Sequence, residues 1–190
     1  MNSGSSDNGN ELRAVFTWLH RLEPPGPMPH PPLTGQLALM RVEFMPIGFY
    51  RFLLDSVGGR YHWVQRMRLD NEVVRSLLDA KTTEIFVLYL QGAPAGFFEI
   101  DRRREGTAHI VHFGLMAHAQ GRHLSGWFLH AALDAAWRED TERITIGTTS
   151  LDHPAALRLY QRFGFTVTER SQGTIRPLAR NERIDRLLAD

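Results

Sequence analysis

The sequence of 190 residues contains no cysteine. Disulfide bonds, thiolate zinc sites and cysteine nucleophiles are therefore excluded. The chain also has little surplus of charge, because 22 basic and 21 acidic residues leave a formal net charge of +1. A general nucleic-acid-binding protein normally carries a basic surplus or patch, so we expect no nucleic-acid partner.

Long hydrophobic runs are missing as well. The most apolar stretch, residues 85–100, is interrupted by two glycines and a proline and is too short to span a bilayer. The first ten residues, MNSGSSDNGN, contain neither the basic nor the apolar segment of a signal peptide. We expect residues 1–10 to form a disordered tail and residues 11–190 a single domain. We also expect a cytoplasmic protein without a membrane partner.

Hydrophobic periodicity predicts an α/β protein of the α+β kind, in which helices and strands do not alternate strictly. A short strand at 12–19 is followed by a proline-rich connector at 23–32. The patterns of 84–90 and 95–101, joined by a short loop with glycine, indicate an antiparallel hairpin. The other expected elements are strand 36–44, helices 46–59 and 69–80, strand 107–116, a loop and long helix up to 138, strand 143–151, helix 153–164 and strand 165–175.

The segment AHAQGRHLSGWFLHAALDAAW, residues 117–137, combines a loop with a long amphipathic helix. The first turn of a helix carries unpaired N–H groups and a partial positive charge, which can bind phosphate. Gly121, Ser125 and Gly126 would let the backbone approach such a ligand, and Arg122 adds charge. Taken alone, this segment is compatible with an anion site or with an ordinary helix cap.

A second segment, TSLDHPAALRLYQRFGF at 149–165, ends a strand and opens a helix that begins with proline and closes with Gly-Phe. With the hairpin and the loop before it, this segment resembles the GNAT superfamily of acyl-CoA-dependent N-acyltransferases. That family has a loop written Q/R-x-x-G-x-G/A and a later L-Y-x-x-x-G-F motif. Gln120 begins the loop here, and the resemblance covers about residues 36–175. The residues that match the later motif are Leu159, Tyr160, Gly164 and Phe165.

The resemblance implies one domain with a mixed, mostly antiparallel central sheet, two splayed parallel strands and flanking helices. It also implies acetyl-CoA (coenzyme A) as co-substrate, without a metal. In this family the pantetheine arm follows the strand before the loop, and the loop binds the pyrophosphate. The residues that this match places at the cofactor are Leu115, Met116, Ala117, Gln120, Gly121, Arg122, His123, Leu124, Ser125, Gly126 and His153.

Three of these positions depart from the family pattern. His123 and Ser125 stand where the loop has glycine or alanine, and His153 replaces an asparagine that often contacts the cofactor. The Ser125 hydroxyl can itself donate to a phosphate. His123 has a Cβ, which disfavours the positive φ that glycine allows. This cost is small if the chain already has helical φ and ψ at residue 123.

Acyl transfer from a thioester to an amine needs a base for the amine, donors for the oxyanion and a proton for the leaving thiolate. Tyr160 matches the family tyrosine that commonly donates this proton, and its alternative role is a core aromatic residue. His109 falls where several family members carry a strand glutamate that acts as the general base, so it is the first candidate for the base here. Glu99 is the second; both could instead be ordinary strand residues, with water in their place. The oxyanion donor would be a backbone N–H near Leu115 or Met116.

His109 and His112 resemble a metal pair, but three residues apart on a strand they should face opposite sides, so no metal site is predicted. The acceptor would be a small-molecule or peptide amine of open identity. In this family the region of residues 59–68 often walls its pocket, the alternative being a core aromatic cluster. Oligomeric state is open, and a homodimer is one compatible state. A degenerate member that senses acyl-CoA without turnover is the alternative function, favoured by His123 and His153.

Overall fold

A computed structural model describes residues 11–32 and 36–189 of the chain. The tail expected at residues 1–10 lies outside the described residues. No helix in the described part is long and apolar enough to cross a membrane. The strands are β1 (Leu12–Arg21), β2 (Leu37–Val42), β3 (Thr83–Leu90), β4 (Ala93–Asp101), β5 (Thr107–Leu115), β6 (Arg143–Thr149) and β7 (Thr166–Ile175), and the helices are α1 (Ile47–Gly58), α2 (Asn71–Leu78), α3 (Leu124–Ala136), α4 (Ala156–Arg162) and α5 (Arg180–Leu188).

The strands of the described chain form one seven-stranded sheet in the order β2-β3-β4-β5-β6-β1-β7. β5 and β6 run parallel, and every other neighbouring pair is antiparallel. The mixed, mostly antiparallel sheet with flanking helices is therefore confirmed.

Helices cover both faces of the sheet. Because successive strand residues point to opposite faces, strands β3 and β4 each contribute side chains to two cores. On β4, Phe97 packs in a core with α1 and α2, whereas the next residue, Phe98, packs against Phe128 of α3. We call these two sides the α1 face and the α3 face. Tyr160 of α4 belongs to the same core as Phe128, so α4 lies on the α3 face.

A β-bulge in β5 marks the point at which this strand stops pairing with β6. Only residues 107–110 of β5 pair with β6. Directly afterwards Val111 has no partner on β4, because its neighbours Ile110 and His112 lie opposite consecutive residues of that strand. An extra residue of this kind bends its strand and increases the twist. The two parallel strands therefore diverge beyond Ile110 and leave a gap in the sheet.

The first strand of the chain lies inside the sheet, between β6 and β7. β1 pairs with both neighbours in antiparallel fashion, with Phe16 opposite Thr149 on one side and Leu12 opposite Ile175 on the other. The sequence predicted a strand here, but apolar alternation does not reveal which strands pair. Because β1 borders β6, its side chains can contribute to the site beside that strand.

The C-terminal helix α5, which the sequence did not predict, is held by a buried arginine of α1. Arg51 Nη1 donates to the carbonyl oxygens of Arg186 and Ala189 at 2.8 and 3.2 Å, and Nη2 donates to that of Leu69 at 3.0 Å. None of the residues of α5 is buried. Its apolar residues are few: Leu187 packs at the edge of the core with α1, whereas Ile184 and Leu188 stay exposed. This pattern is too short for hydrophobic periodicity to reveal the helix.

Candidate active site

A cleft of about 1060 Å³ occupies the gap between β5 and β6. On the α1 face its walls come from residues 61–66, which follow α1, and from β1. On the α3 face they come from the start of α3 and from α4. This volume is at the upper end of the range for ligand pockets, so the cleft can hold a large ligand.

The loop before α3 presents free backbone donors to one end of the cleft. Gly121 has a φ of +74°, and a Cβ at this residue would have open space around it. Within the described chain, no group accepts a hydrogen bond from the backbone N–H groups of residues 121–126. Such a row of donors at the start of a helix favours a bound anion. The cleft lining includes the loop residues Gln120, Gly121, His123, Leu124 and Ser125, but not Arg122 or Gly126.

The end of β5 supplies further backbone groups. The Met116 N–H donates to the Ala95 carbonyl of β4 at 2.8 Å and so points away from the gap. Because backbone groups alternate in direction along a strand, the N–H and C=O of Leu115 point towards the diverged β6. Gln120 Nε2 donates to the Leu115 carbonyl at 2.9 Å. Leu115 lines the cleft, whereas Met116 and Ala117 do not, so of the two expected oxyanion donors only the Leu115 N–H faces the gap.

His123 has a left-handed backbone conformation, with φ 58° and ψ 18°. Helical φ and ψ therefore begin only at Leu124, and the condition under which this side chain would cost little is not met. A left-handed residue with a Cβ costs about 1 to 2 kcal/mol, although histidine occurs there more often than most residues. The loop thus has a geometry that glycine adopts freely, but with a histidine in it.

Replacing His123 with glycine is expected to raise the free energy of unfolding by about 0.5 to 1 kcal/mol, because relief of strain exceeds the entropy that glycine loses on folding. Denaturant unfolding measures the change. His118→Gly is the matched control, since His118 lies in the 3₁₀ turn at 117–119 without a positive φ and should lose stability. A His123→Gly variant less stable than the wild type would show that the imidazole makes a contact worth more than the strain.

Tyr160 of α4 lines the cleft on the α3 face, and its ring makes edge contacts with Phe113 and Phe165. Burial, together with the Asp152 carboxylate, raises the pKa of the phenol far above its usual value. The hydroxyl therefore stays protonated at neutral pH. Within the described residues it has no hydrogen-bond partner. A protonated, unpartnered hydroxyl at the wall of a cleft can donate to a ligand.

Glu99 of β4 is the centre of a buried polar cluster on the α1 face. Its carboxylate accepts hydrogen bonds from Tyr50 Oη at 2.6 Å and Arg66 Nη2 at 3.2 Å, and lies 2.9 Å from His112 Nδ1. Burial would raise the pKa of Glu99, but hydrogen bonding and charge from His112, with the charge of Arg66, lower it. Burial and the Glu99 charge raise the pKa of Tyr50, which keeps its hydroxyl a donor. Glu99 is thus an ionised carboxylate beneath the cleft.

His112 connects this cluster to the cleft. Its Nδ1 faces Glu99, its ring lines the cleft, and Trp63 packs on it with 5.0 Å between ring centroids. A carboxylate at Nδ1 fixes the tautomer that leaves Nε2 as an acceptor, and it stabilises the imidazolium once Nε2 takes up a proton. Sequence reasoning considered His112 only as a metal ligand. The register of β4 with β5, which no local pattern reveals, was the missing information.

His109, the first candidate for the base, also lines the cleft. Its Nδ1 lies 2.9 Å from Thr145 Oγ1 of β6, and burial lowers its pKa. The expectation that His109 and His112 face opposite sides is wrong, because the bulge in β5 inserts a residue between them. Their partners on β4, Asp101 and Glu99, are two residues apart and share a face, and so do the histidines. The described residues contain no group of three or more His, Cys, Asp or Glu placed to bind a metal ion.

Trp63 and Asp152 join the two sides of the cleft. Trp63 Nε1 donates to Asp152 Oδ1 at 3.0 Å, and Asp152 Oδ2 accepts from Thr148 Oγ1 and the Thr149 N–H. The indole has room because residue 58 is glycine: a Cβ there would collide with Trp63 Cδ2. The aromatic segment after α1 is thereby tied to the end of β6 and forms one wall of the cleft.

His153 lines the cleft, but part of its side chain is already occupied. Its Nδ1 accepts a hydrogen bond from the Ala155 N–H at 3.1 Å. The helix expected from residue 153 begins only at Ala156, because residues 153–155 form a turn. Only Nε2 of His153 is therefore left for a ligand.

Two aromatic residues of β1 line the cleft on the α1 face, and the sequence did not assign them to the site. Trp18 lies against Gly147 and has 42% of its surface exposed, and Phe16 lies against Gly173. Both glycines leave room for a ring to lie on the sheet. Their role depends on the pairing of β1 with β6, which the local sequence pattern does not contain.

The sequence matches the model of the acetyltransferase (GNAT) family over residues 46–165. The match covers more than half of the chain, so the protein belongs to the GNAT acetyltransferase family. The loop, the start of α3 and Tyr160 fall inside the matched range, whereas β1 precedes it. Among proteins with curated descriptions, none matches the sequence significantly.

Solved structures share the fold at low identity. A GCN5-related N-acetyltransferase from Sphaerobacter thermophilus is 18% identical with a TM-score of 0.56, over 88% of this chain and 53% of that one. An acetyltransferase from Bacillus subtilis in complex with CoA is 20% identical with a TM-score of 0.53, over 70% and 79%. An aminoglycoside acetyltransferase from an uncultured soil sample, in complex with sisomicin, is 15% identical with a TM-score of 0.50, over 71% and 91%. This chain spans about half the length of the Sphaerobacter protein.

Proposed function

We propose that the protein transfers an acetyl group from acetyl-CoA to an amine in the cleft between β5 and β6. The observation that carries this proposal is the pairing of two features in one cleft. Unpaired N–H groups at residues 121–126 form one end, and His112, supported by Glu99, lines the side of the α1 face. The first feature suits a pyrophosphate, and the second suits removal of a proton from an amine.

The residues of the α3 face fit coenzyme A. The N–H groups of residues 121–126 and the Ser125 hydroxyl would hold the pyrophosphate. Arg158 and Arg162 of α4 line the same cleft and add positive charge for the cofactor's phosphates. The unpaired N–H of Leu115, and its C=O beside the donor Gln120, offer the strand edge to the pantetheine amides. Acetyl-CoA supplies the acetyl group in the activated form of a thioester.

The protein's own groups then handle the protons. His112 Nε2 accepts the proton that the amine loses as its nitrogen bonds to the acetyl carbon. Glu99 does not line the cleft, so it acts through His112 as a positioning residue. The Leu115 N–H stabilises the oxyanion, and Tyr160 donates a proton to the sulfur as the C–S bond breaks. His109 is the second candidate for the base, with a hydroxyl rather than a carboxylate at Nδ1.

A charge placed in the loop tests where the cofactor binds. We expect Ser125→Asp to raise the Kd for acetyl-CoA about tenfold or more, because a carboxylate there would repel the pyrophosphate. Ser125 is the second residue of α3, where an aspartate favours the helix, so the fold should be retained. Calorimetry provides the Kd, and Ser125→Asn is the neutral control of the same shape. Equal affinities for the two variants would place the pyrophosphate elsewhere.

A sensor that binds acyl-CoA without turnover is the second candidate. It is favoured by the strained His123 and by the hydrogen bond that occupies Nδ1 of His153. Release of free thiol from acetyl-CoA in the presence of amine acceptors separates the two functions. A sensor binds acetyl-CoA and releases no thiol beyond the rate in buffer, whereas an acetyltransferase releases thiol in proportion to the acetylated amine.

A further inference from the structure

The part of the cleft on the α1 face is rich in arginine. We call it the acceptor end and define it by Phe16, Trp18, Arg66, Asp101, Arg103 and Arg176, all of which line the cleft. It faces away from the loop that would hold the pyrophosphate. Its charged groups would therefore meet the amine acceptor, not the cofactor.

The carboxylates near the acceptor end are already engaged. Asp101 forms an ion pair and several hydrogen bonds with Arg103, and its side chain is 10% exposed. Glu99 is enclosed by Tyr50, Arg66 and His112. An acceptor with several ammonium groups would have to displace one of these arginines. Displacement of Arg66, whose side chain is only 15% exposed, would leave a largely buried charge without its partner, which is unfavourable. Displacement of the exposed Arg103 would break its ion pair and its several hydrogen bonds with Asp101.

The arginines, in contrast, have donors to spare. Arg176 has no hydrogen bond or ion pair within the described residues, although the charge of Glu182 acts on it. Arg103 is 61% exposed in its side chain and uses Nε and Nη2 on Asp101, so its Nη1 is free. Arg66 uses only Nη2, on Glu99. Free guanidinium donors at a pocket wall are suited to a carboxylate, which they can bind in bidentate fashion.

The floor of the acceptor end is apolar and open. The rings of Trp18 and Phe16 lie on the sheet over Gly147 and Gly173. Trp18 keeps 42% of its surface exposed, which is unusual for so large a side chain beside a cleft. A ligand with an aromatic or apolar body would cover it and gain the free energy of burial.

We infer that the acceptor is an amine that also carries a carboxylate group and an apolar body. The carboxylate would bind the free donors of Arg176 and Arg103, the body would lie on Trp18 and Phe16, and the amino group would face His112. This inference rests on the proposed function, since it names the substrate class of the same cleft. It predicts poor binding of amines that carry several positive charges, such as aminoglycosides or spermidine.

Matched pairs of amines test the inference on the protein saturated with CoA. CoA fills the cofactor part of the cleft but carries no acetyl group, so binding is measured without reaction. The pairs are phenylalanine and phenethylamine, 4-(aminomethyl)benzoate and benzylamine, and 6-aminohexanoate and hexylamine. Calorimetry should give, in at least one pair, a Kd at least about tenfold lower for the carboxylate member, and a higher Kd for spermidine. Arg176→Gln should reduce the ratio within that pair severalfold. Arg170→Gln, an exposed arginine of β7 outside the cleft lining, is the control and should leave the ratio as it is.

The two levels of the proposal fail in different ways. If acetyl-CoA does not bind at all, the proposed function is wrong. If CoA binds but no pair shows a preference for the carboxylate, including the case in which no member binds at millimolar concentration, the inferred substrate class is overturned and the proposed function stands. Tighter binding of spermidine than of every carboxylate amine would overturn it in favour of a polycationic acceptor.

Discussion

Replacing Tyr160 with phenylalanine is expected to lower kcat about 100-fold while changing the Kd for acetyl-CoA by less than about twofold. The phenol is protonated, lines the cleft and has no hydrogen-bond partner in the described chain, so its proton is free for the departing sulfur. The substitution removes only this oxygen. The ring contacts with Phe113 and Phe165 remain, and the free energy of unfolding should stay within about 1 kcal/mol of the wild type because no hydrogen bond within the protein is lost.

Steady-state thiol release gives kcat, and calorimetry gives the Kd. Tyr89→Phe is the matched control. Tyr89 lies on β3, its side chain is partly buried, and it is absent from the cleft lining. A kcat for Tyr160→Phe within threefold of the wild type would return Tyr160 to the role of a core aromatic residue.

Local sequence patterns predicted most strands and helices, because the regular spacing of apolar residues in each is visible within that segment alone. The hairpin β3–β4, the strand β5 and the long helix α3 belong to this group. The position of β1 between β6 and β7 depends on pairing between residues more than a hundred positions apart, and no local period encodes that. α5 has only a short apolar pattern and is also held by ion pairs and by Arg51, so it too was missed.

The candidate site was predictable where it is carried by the loop and by Tyr160. The contact between Glu99 and His112 was not predictable, because the extra residue Val111 shifts the alternation of β5 by one. Residues before it therefore lie on the face opposite to the one that simple counting gives. Alternation counted through the strand therefore placed His109 and His112 on opposite sides. The conformation of His123 was also beyond the sequence, because a loop residue can take helical or left-handed φ according to what surrounds it.

The Glu99–His112 pair leads to the second large effect. We expect His112→Asn to lower kcat/KM about 100- to 1000-fold, in the range of a lost general base. The Kd for acetyl-CoA, measured by calorimetry, should stay within about twofold of the wild type, because the asparagine amide keeps a polar group at this position but cannot accept a proton from the amine. His109→Asn, which changes the other histidine of the same face, should lower kcat/KM by less than about tenfold.

Glu99→Gln should lower kcat/KM about 100-fold. An amide beside His112 Nδ1 no longer fixes the ring tautomer that leaves Nε2 as the acceptor, so His112 can no longer serve fully as the base. The same change leaves the buried Arg66 without its partner, and a loss of stability follows. The double variant is therefore the decisive readout. If Glu99 acts through His112, Glu99→Gln should lower kcat/KM no further in the His112→Asn background, whereas a purely structural loss would lower it in both backgrounds.

Glu84→Gln separates the two effects. Glu84 is 3% exposed and forms ion pairs with Arg102 and Arg138, so its loss should destabilise the fold in the same way as that of Glu99. It lies outside the cleft lining, and kcat/KM of the folded protein should change by less than about threefold in this variant. If kcat/KM falls equally in Glu84→Gln and Glu99→Gln, the loss reports general destabilisation, and Glu99 has no specific effect on His112. If kcat/KM is retained in His112→Asn and lost in His109→Asn, the base is His109, and the carboxylate beneath His112 serves only to bury Arg66.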